Sequence, residues 1–424
     1  MESRVYMITT EMLQKYAELA VRAGANVQKG QLLVLNAPVE CAEFARLCVE
    51  EAYKAGAGEV QVMWSDEQVG RLSFEYESDE TLTRIPAWQV ERKRDQIERG
   101  CAYLYIEADT PGLLAHIPGE KLQKVNLARR TAFEPFQYYT MSNHGQWSIV
   151  AIPTVAWARK VFPGLGDEEA LEKLWEAVLM SVRLTADNDP AGEWAHHDAA
   201  LMENSAKMNE YAFRTLHFKN GLGTDLTIEL VKDHVWAGGG STTRGGVFFN
   251  PNMPTEEVFC MPHKFGVNGT VAATKPLNYQ GKLIENFVLT FKDGKVVEHS
   301  AEKGGDALLN LLSADGGSSY LGEVALVPHL SPISQSGVLF LNTLFDENAS
   351  CHLALGEAYP ENVRGGTDMS REELDAVGAN YSKEHSDFMF GSADMTIVGT
   401  REDGSTVTVF ENGAFSKEAG FVEG

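Results

Sequence analysis

The chain changes its sequence pattern about halfway along its 424 residues, and this change constrains the fold more than any single motif. In the first half, apolar residues at helical spacing alternate with short apolar runs typical of strands. The spacing predicts helices over 10–25, 40–55, 79–99 and 167–184, and strands over 31–36, 59–64, 101–106 and 147–152. Such alternation favours a parallel sheet with helices on its faces.

From about Thr215 the pattern becomes that of antiparallel strands. Asn-Gly and Asp-Gly dipeptides begin at positions 220, 293, 403 and 412, several of them between alternating runs, which predicts hairpins. Helical spacing is confined to 304–312 and 371–377. Two domains are predicted: an α/β N-terminal domain over 1–214, with a mostly parallel sheet and flanking helices, and a β-rich α+β C-terminal domain over 215–424. A charged helix over 205–214 is expected to join them, preceded by His196 and His197 in an exposed polar linker.

Charge, cysteine content and hydropathy indicate the partners and the cellular compartment of the protein. Sixty acidic residues against thirty-six basic ones give a net charge of −24, which repels phosphate backbones and argues against nucleic acid. The five cysteines are scattered without a CxxC pair, which favours a reducing compartment. We find no signal segment at the N-terminus and no apolar run near the ~20 residues that span a bilayer. The sequence therefore predicts a cytoplasmic protein with no membrane partner.

Two clusters of residues that bind divalent cations lie in the last hundred positions. His385 and Asp387 are separated by one residue, so both side chains project from one face of a strand. His352 and Tyr359 are seven residues apart, but Gly356 argues against a continuous helix that would bring them onto one face. Taken alone, each cluster is more often an ordinary surface or core feature than a metal site.

Upstream glutamates occupy unusual positions. Glu323 lies in an apolar run, where a buried carboxylate costs several kcal/mol unless a cation or hydrogen-bond donors compensate. The neighbouring Gly322 leaves room for a close approach, although an edge strand facing solvent would also explain the carboxylate. Glu256 and Glu257 would face opposite ways in a strand, so at most one easily shares a site with Glu323. The alternative for this pair is a helix N-terminus capped by Thr255.

Motifs of other reaction classes are absent. The sequence has no G-x-S-x-G, no P-loop and no G-x-G-x-x-G after a strand, so these classes have no support from motifs. H-E-x-x-H is also absent, which excludes a zincin metalloprotease by pattern.

Four segments in this order resemble the thermophilic-type metallo-aminopeptidases, the family of aminopeptidase T and aminopeptidase S. They are NMPTEEVF (252–259), LGEVAL (321–326), DENASCHLALG (346–356) followed by Tyr359, and HSDFM (385–389). The resemblance covers essentially the whole chain. It implies an α/β N-terminal domain, a β-rich C-terminal domain, and homodimers whose active sites face an internal cavity. It also implies six metal ligands, namely Glu257, Glu323, His352, Tyr359, His385 and Asp387.

The family resemblance implies a metal-dependent aminopeptidase that removes the N-terminal residue of peptides with a metal-activated water at a dinuclear site. Two divalent ions per subunit are expected (zinc, cobalt, manganese or magnesium), with Glu323 as the bridge. Glu256 is a candidate general base, and Tyr359 either binds metal or donates a hydrogen bond to the developing oxyanion. Which glutamate of the pair 256–257 is the ligand stays open. The expected substrates are peptides with free N-termini.

Two alternatives stay open as well. A mononuclear iron oxygenase would use His352, His385 and Asp387, two histidines and one carboxylate. Such a site has no need of Glu257 and Glu323. A non-catalytic peptide-binding protein would not require an intact ligand set, and metal analysis of the purified protein distinguishes it.

Overall fold

The computed structural model describes residues 8–422, without the side chains of residues 134, 135 and 137. The chain divides into two compact units. Unit 1 comprises Met1–Ala195 and Gly240–Pro254, and unit 2 comprises His196–Gly239 and Thr255–Gly424. This division differs from a single boundary at residue 214. The helix predicted over 205–214 begins already at Pro190, and residues 240–254 belong to unit 1.

Unit 1 contains a four-stranded parallel sheet in the order β2-β1-β3-β4. The strands are β1 (Leu32–Pro38), β2 (Glu59–Ser65), β3 (Ala102–Glu107) and β4 (Trp147–Ala151). The helices are α1 (Thr10–Leu19), α2 (Ala42–Ala55), α3 (Glu67–Tyr76), α4 (Asp79–Thr83), α5 (Ala87–Glu98), α6 (Gly119–Met141), α7 (Val155–Val161) and α8 (Asp167–Ser181). Helix α9 (Pro190–Tyr211) contributes residues to both units.

The parallel sheet follows from continuous apolar strands. Leu33 and Leu35 of β1 are fully buried on one face, and Leu32 and Val34 are buried on the other, as expected for a sheet covered on both faces. The helix predicted over 79–99 is divided into α4 and α5, because Pro86 takes the N-cap position of α5 and has no N–H to continue a helix. Helices α3 and α6 were not predicted.

Unit 2 is mainly antiparallel. Its strands are β5 (Thr215–Lys219), β6 (Asp225–Leu230), β7 (Ala237–Gly238), β10 (Val258–Cys260), β11 (Pro262–Ala272), β12 (Leu277–Tyr279), β13 (Lys282–Ile284), β14 (Val288–Lys292), β15 (Lys295–Ser300), β16 (Leu321–Leu326), β17 (His352–Gly356), β18 (His385–Met389), β19 (Thr396–Thr400), β20 (Thr406–Glu411) and β21 (Ala414–Phe415). The short strands β8 (Ser241–Thr242) and β9 (Phe248–Phe249) belong to unit 1. The remaining helices are α10 (Gly305–Leu312), α11 (Pro332–Ser336), α12 (Thr343–Asp346) and α13 (Arg371–Ala376).

Two antiparallel sheets share one core in unit 2. The eight-stranded sheet has the order β15-β14-β11-β6-β5-β19-β20-β21, and the five-stranded sheet has the order β18-β17-β16-β10-β7. Each of the four predicted hairpin turns joins consecutive strands of the eight-stranded sheet. Both a parallel sheet with helices and antiparallel sheets are therefore present, as the fold-class prediction requires. None of the described helices is both long and apolar enough to cross a membrane.

Candidate metal centre

The register of the five-stranded sheet brings the predicted ligands onto one face. Ala354 of the inner strand β17 is paired with Glu323 of β16 on one side and with Asp387 of β18 on the other. Paired residues project to the same face of a sheet. The two carboxylates therefore flank a methyl group, which leaves space between them.

The same strand register fixes the positions of the two histidines. His352 begins β17 and lies two residues from Ala354, while His385 is paired with Gly356 at the other end of the strand. Residues two apart share a face, so both imidazoles stand on the side of the carboxylates. The opposite face, with Leu353, Leu355 and similar residues, packs into the core of unit 2. One sheet thus separates an apolar face from a face of charged side chains.

A β-bulge at Gly322 positions Glu323. The pairing of β16 with β17 shifts between Leu321 and Glu323, which leaves Gly322 as the extra residue. A Cβ atom added to Gly322 would lie 2.1 Å from the carbonyl oxygen of Glu357. The close approach predicted at Gly322 is therefore made by the backbone of the chain itself.

The side chains form two groups that share Glu323. Glu257, Glu323 and His352 form the first, and Glu323, His385 and Asp387 form the second. His352 Nε2 lies 2.9 Å from Glu257 Oε2 and 3.4 Å from Glu323 Oε1. His385 Nε2 lies 3.6 Å from Glu323 Oε2 and 3.5 Å from Asp387 Oδ1. Each oxygen of Glu323 thus faces a different imidazole.

Backbone carbonyls orient both imidazoles. His352 Nδ1 lies 3.3 Å from the carbonyl oxygen of Ser350, and His385 Nδ1 lies 2.8 Å from that of Glu357. A carbonyl only accepts, so in each ring Nδ1 carries the proton and donates it. The Nε2 atoms are then free to act as ligands, which is the usual arrangement of histidines that bind metal.

Two carboxylate oxygens provide a test of whether a cation fits. Glu257 Oε2 and Asp387 Oδ1 are buried and make no hydrogen bond to any described residue. A ring nitrogen lies 2.9 Å from the first and 3.5 Å from the second, but outside hydrogen-bonding geometry. Buried carboxylates without donors are costly unless a cation compensates them. Nitrogen and oxygen donors in this combination suit zinc and similar divalent ions.

The electrostatics of the cluster require positive charge. Burial raises the pKa of Glu323 to about 7, against the lowering effect of His352. Burial alone would lower the pKa of His385, but the charge of Asp387 and a contact with it raise this pKa to about 10. In the same way, contacts with Glu257 and Glu323 outweigh burial and raise the pKa of His352 well above its ordinary value. Protons on the imidazoles thus compete with cations for this site.

Tyr359 lies beside the second group. Its ring centroid is 4.8 Å from that of His385 and 6.2 Å from that of Phe259. Burial raises the pKa of Tyr359 well above its ordinary value, and the charges of Glu323 and Asp387 add to this effect. These surroundings favour the protonated phenol, which can donate a hydrogen bond.

Glu256 and Glu257 have different partners. Glu257 enters the first group, whereas Glu256 Oε2 lies 3.8 Å from His197 Nε2 on α9. The backbone N–H of Glu256 donates to Asn348 Oδ1 at 2.8 Å. The segment 255–257 is not helical, so the alternative of a capped helix N-terminus is wrong. The exposed linker predicted at His197 is also wrong, because His197 is buried within α9 and its Nε2 lies 2.7 Å from the carbonyl oxygen of Thr255.

Glu347 is a residue of the cluster that we did not single out from the sequence. Burial raises the pKa of its carboxyl group well above the ordinary value, and the charges of Asp387 and Glu257 raise it further. Asn348 Nδ2 lies 3.4 Å from Glu347 Oε1. The residue stands in the third family segment, five positions before His352, but no spacing rule connects the two, and only their order in that segment could have indicated it.

The comparisons with known proteins agree with this geometry. A family model described as thermophilic metalloprotease (M29) matches residues 9–415, and the chain therefore belongs to this family. Among its curated relatives, aminopeptidase 2 of Geobacillus stearothermophilus is 46% identical over 406 residues, which covers 96% of this chain and 98% of the relative. The solved structure of wild-type AmpT from Thermus thermophilus has a TM-score of 0.88 at 40% identity and covers 95% of this chain and 98% of that one. The resemblance stated from the four segments is thus confirmed.

A second solved structure shares the fold at low identity. The 2,5-dihydroxypyridine dioxygenase from Pseudomonas putida has a TM-score of 0.53 at 10% identity and covers 97% of this chain and 98% of that one. This likeness concerns the fold alone, since one fold supports different chemistries through different sites.

Proposed function

We propose that the protein is a metal-dependent aminopeptidase in which two divalent cations occupy the two residue groups and share Glu323. Family membership and the aminopeptidase relative support the hydrolase activity. The observation that supports two ions is the orientation of Glu323, whose Oε1 faces His352 and whose Oε2 faces His385. Glu257 and His352 would hold one cation, and His385 and Asp387 the other.

Cations held by these residues would supply a Lewis acid for the scissile carbonyl and would lower the pKa of a bound water toward about 7. The residues of the chain supply the rest. The carbonyl oxygens of Ser350 and Glu357 hold the two imidazoles in the tautomer that leaves Nε2 free. The phenol of Tyr359, which its surroundings keep protonated, would donate a hydrogen bond to the developing oxyanion.

Two carboxylates are candidates for proton transfer. Glu256 was predicted as the general base, and its contact with His197 supports a residue held in place. Glu347 is the second candidate, because burial and the charges of Asp387 and Glu257 raise the pKa of its carboxyl group well above the ordinary value, which favours its protonated form. Replacing each glutamate by glutamine distinguishes them. Replacement of the general base should lower kcat and leave the metal content unchanged.

The substrates are peptides with a free N-terminus. The free amino group of the substrate would bind a metal ion or a carboxylate of the site, which limits cleavage to the first residue. A homodimer and a cytoplasmic location stay predictions from the sequence, and size-exclusion chromatography with light scattering tests the first.

The decisive experiment removes metal with a chelator and restores zinc, cobalt, manganese or magnesium one at a time. We expect release of the N-terminal residue from aminoacyl amides to return and to saturate at two ions per chain. Acetylated substrates should stay uncleaved. Saturation at one ion per chain, together with wild-type activity of the Glu323→Gln variant, would show a mononuclear site instead.

Matched histidine variants connect this activity to the cluster. His385→Ala should lose roughly 100-fold or more in kcat together with bound metal. His299→Ala changes an exposed histidine of β15 in the same unit and should leave both quantities unchanged. Full activity of His385→Ala would exclude the proposed ligand set.

A further inference from the structure

Helix α5 of unit 1 has an unusual inner face. Gln89, Arg92, Lys93 and Gln96 follow one another at intervals of three, one and three, which places them on one side of the helix. A helix on a parallel sheet normally turns apolar residues toward the strands. Here these four polar side chains line a cavity of about 310 Å³ instead.

The floor of this cavity is a row across the parallel sheet. Asn36 of β1 is paired with Met63 of β2 and with Tyr105 of β3, and all three line the cavity. Asn36 Nδ2 is buried and has no hydrogen-bond partner among the described residues. An unused donor in such a position has lost its hydration without compensation unless a ligand accepts from it.

The opposite wall comes from α6. Phe133, Phe136 and Thr140 line the cavity from positions three and seven apart, so they share one side of that helix. With Tyr105 and Met63 they form an apolar, largely aromatic surface. The cavity therefore combines aromatic rings with amide and cationic donors.

The charge of the lining has one sign. Arg92 and Lys93 are its charged members, and no described carboxylate lines the cavity or pairs with either of them. Lys93 Nζ lies 3.7 Å from the ring centroid of Tyr103. Burial lowers the pKa of Lys93 to about 8, and the groups that act on it besides burial are Cys101 and Arg92. In a chain of net charge −24, Lys93 thus has no carboxylate partner among the residues that the structure describes.

We propose that this cavity binds small organic carboxylates that carry an aromatic or branched apolar body. The carboxylate accepts hydrogen bonds from Lys93 and Asn36, and the apolar body contacts Tyr105, Phe133 and Phe136. Free amino acids should bind weakly, because none of the lining residues that the structure describes is a carboxylate that could hold their ammonium group. This site lies in unit 1 and is independent of the metal centre in unit 2.

The test is calorimetric titration of the full chain with three probes of similar shape: 3-phenylpropanoate, 3-phenylpropanamide and 2-phenylethylamine. We expect the carboxylate to bind at least tenfold more tightly than the neutral amide and the amine not to bind. The titration is done with metal-loaded and with chelator-treated protein. Equal affinity in both is expected, whereas binding that is lost on chelation would place the carboxylate at the metal centre and overturn the proposal.

Variants of α5 locate the binding. Lys93→Met should weaken binding of 3-phenylpropanoate at least tenfold. Arg94→Met removes the same charge from the exposed side of the same helix and should change the affinity less than twofold. Unchanged affinity in Lys93→Met overturns the proposal.

A second variant covers the case in which Lys93→Met does not fold. Asn36→Asp keeps the size of the side chain but replaces a donor by a carboxylate, and it should abolish binding. Retained binding in this variant contradicts the assignment. So does the absence of any heat from the wild-type chain at about 10 mM ligand, a concentration above the Kd of about 4 mM that roughly 0.3 kcal/mol per non-hydrogen atom gives for a ligand of this size.

Discussion

The imidazoles of His352 and His385 are each held at Nδ1 by a backbone carbonyl, so a cation at Nε2 competes with a proton for the same lone pair. Surrounding carboxylates, chiefly Asp387, raise the pKa of His385 to about 10 against the effect of burial. Below that pH the protonated ring predominates without metal, and binding of a cation must release the proton.

Metal affinity should therefore increase with pH. Between pH 6.5 and 8 we expect the apparent association constant to rise about tenfold per pH unit for each proton released. Competition with a chromophoric chelator measures it, with chelator-treated protein at each pH. His385→Ala should show a slope lower by about one proton, and affinity that does not depend on pH would contradict the raised pKa.

At the scale of single residues, the sequence predicted the kinds of side chain in the cluster but not all of their contacts. In a strand Glu256 and Glu257 would face opposite ways, but this pattern does not indicate which of them faces His352. The choice depends on β10 being paired with β16 and on His197 standing on α9, and both are contacts between distant segments. Glu347 was missed for the same reason.

At the scale of elements, strands β16, β17 and β18 contribute ligands from one face of their sheet, while their other face is apolar and packs into the core of unit 2. Gly322 allows Glu323 to take its position in β16, because the β-bulge brings the backbone of Gly322 against the carbonyl oxygen of Glu357. No side chain fits there without movement of the backbone.

The variant Gly322→Ala should therefore lose both stability and activity. Overpacking of this kind destabilises by roughly 1–3 kcal/mol, and displacement of Glu323 should reduce kcat as well. Urea denaturation and the aminoacyl amide assay measure the two effects. Gly305→Ala is the matched control in unit 2, because a Cβ at Gly305 meets no atom within 4 Å. Wild-type behaviour of Gly322→Ala would mean that the bulge does not position the site.

Elements with strong local signals were predicted well. The four turns of the Asn-Gly and Asp-Gly type lie between paired strands. In three of them the glycine of the dipeptide (Gly294, Gly404 and Gly413) takes the positive φ that tight turns need, whereas in the turn after Asn220 it is Gly223 that does so. Helix α6 was missed, and Pro135 within its sequence argues against a helix by local rules. The two short helices α4 and α5 were predicted as one.

At the scale of the whole molecule, the acidic cluster is a local concentration of negative charge in a chain that is already acidic. The carboxylates of Glu257, Glu323 and Asp387 repel one another when no cation compensates them. Removal of metal should therefore loosen the strands that carry them.

Hydrogen exchange followed by mass spectrometry tests this expectation. Chelation should accelerate exchange in β17 and β18 by about tenfold or more, because binding to the native state protects it from opening. Strands β1 and β3 of unit 1 should show no change. An equal acceleration in both units, or none in β17 and β18, would contradict a structural role for the cations.

The division of the chain was the feature that the sequence predicted least well. A change of pattern near residue 215 gave one boundary, whereas the chain passes from one unit to the other at 195–196, 239–240 and 254–255. The segment 240–254 is short and rich in glycine, so its composition does not indicate which of the two units it belongs to.

These three crossings have a consequence for the history of the family. Neither unit is one continuous stretch of sequence, so a single recombination event cannot exchange one and keep the other intact. We therefore expect the two units to be inherited together. The family match extends over residues 9–415, and the relative from Geobacillus stearothermophilus aligns over 96% of this chain, as joint inheritance requires.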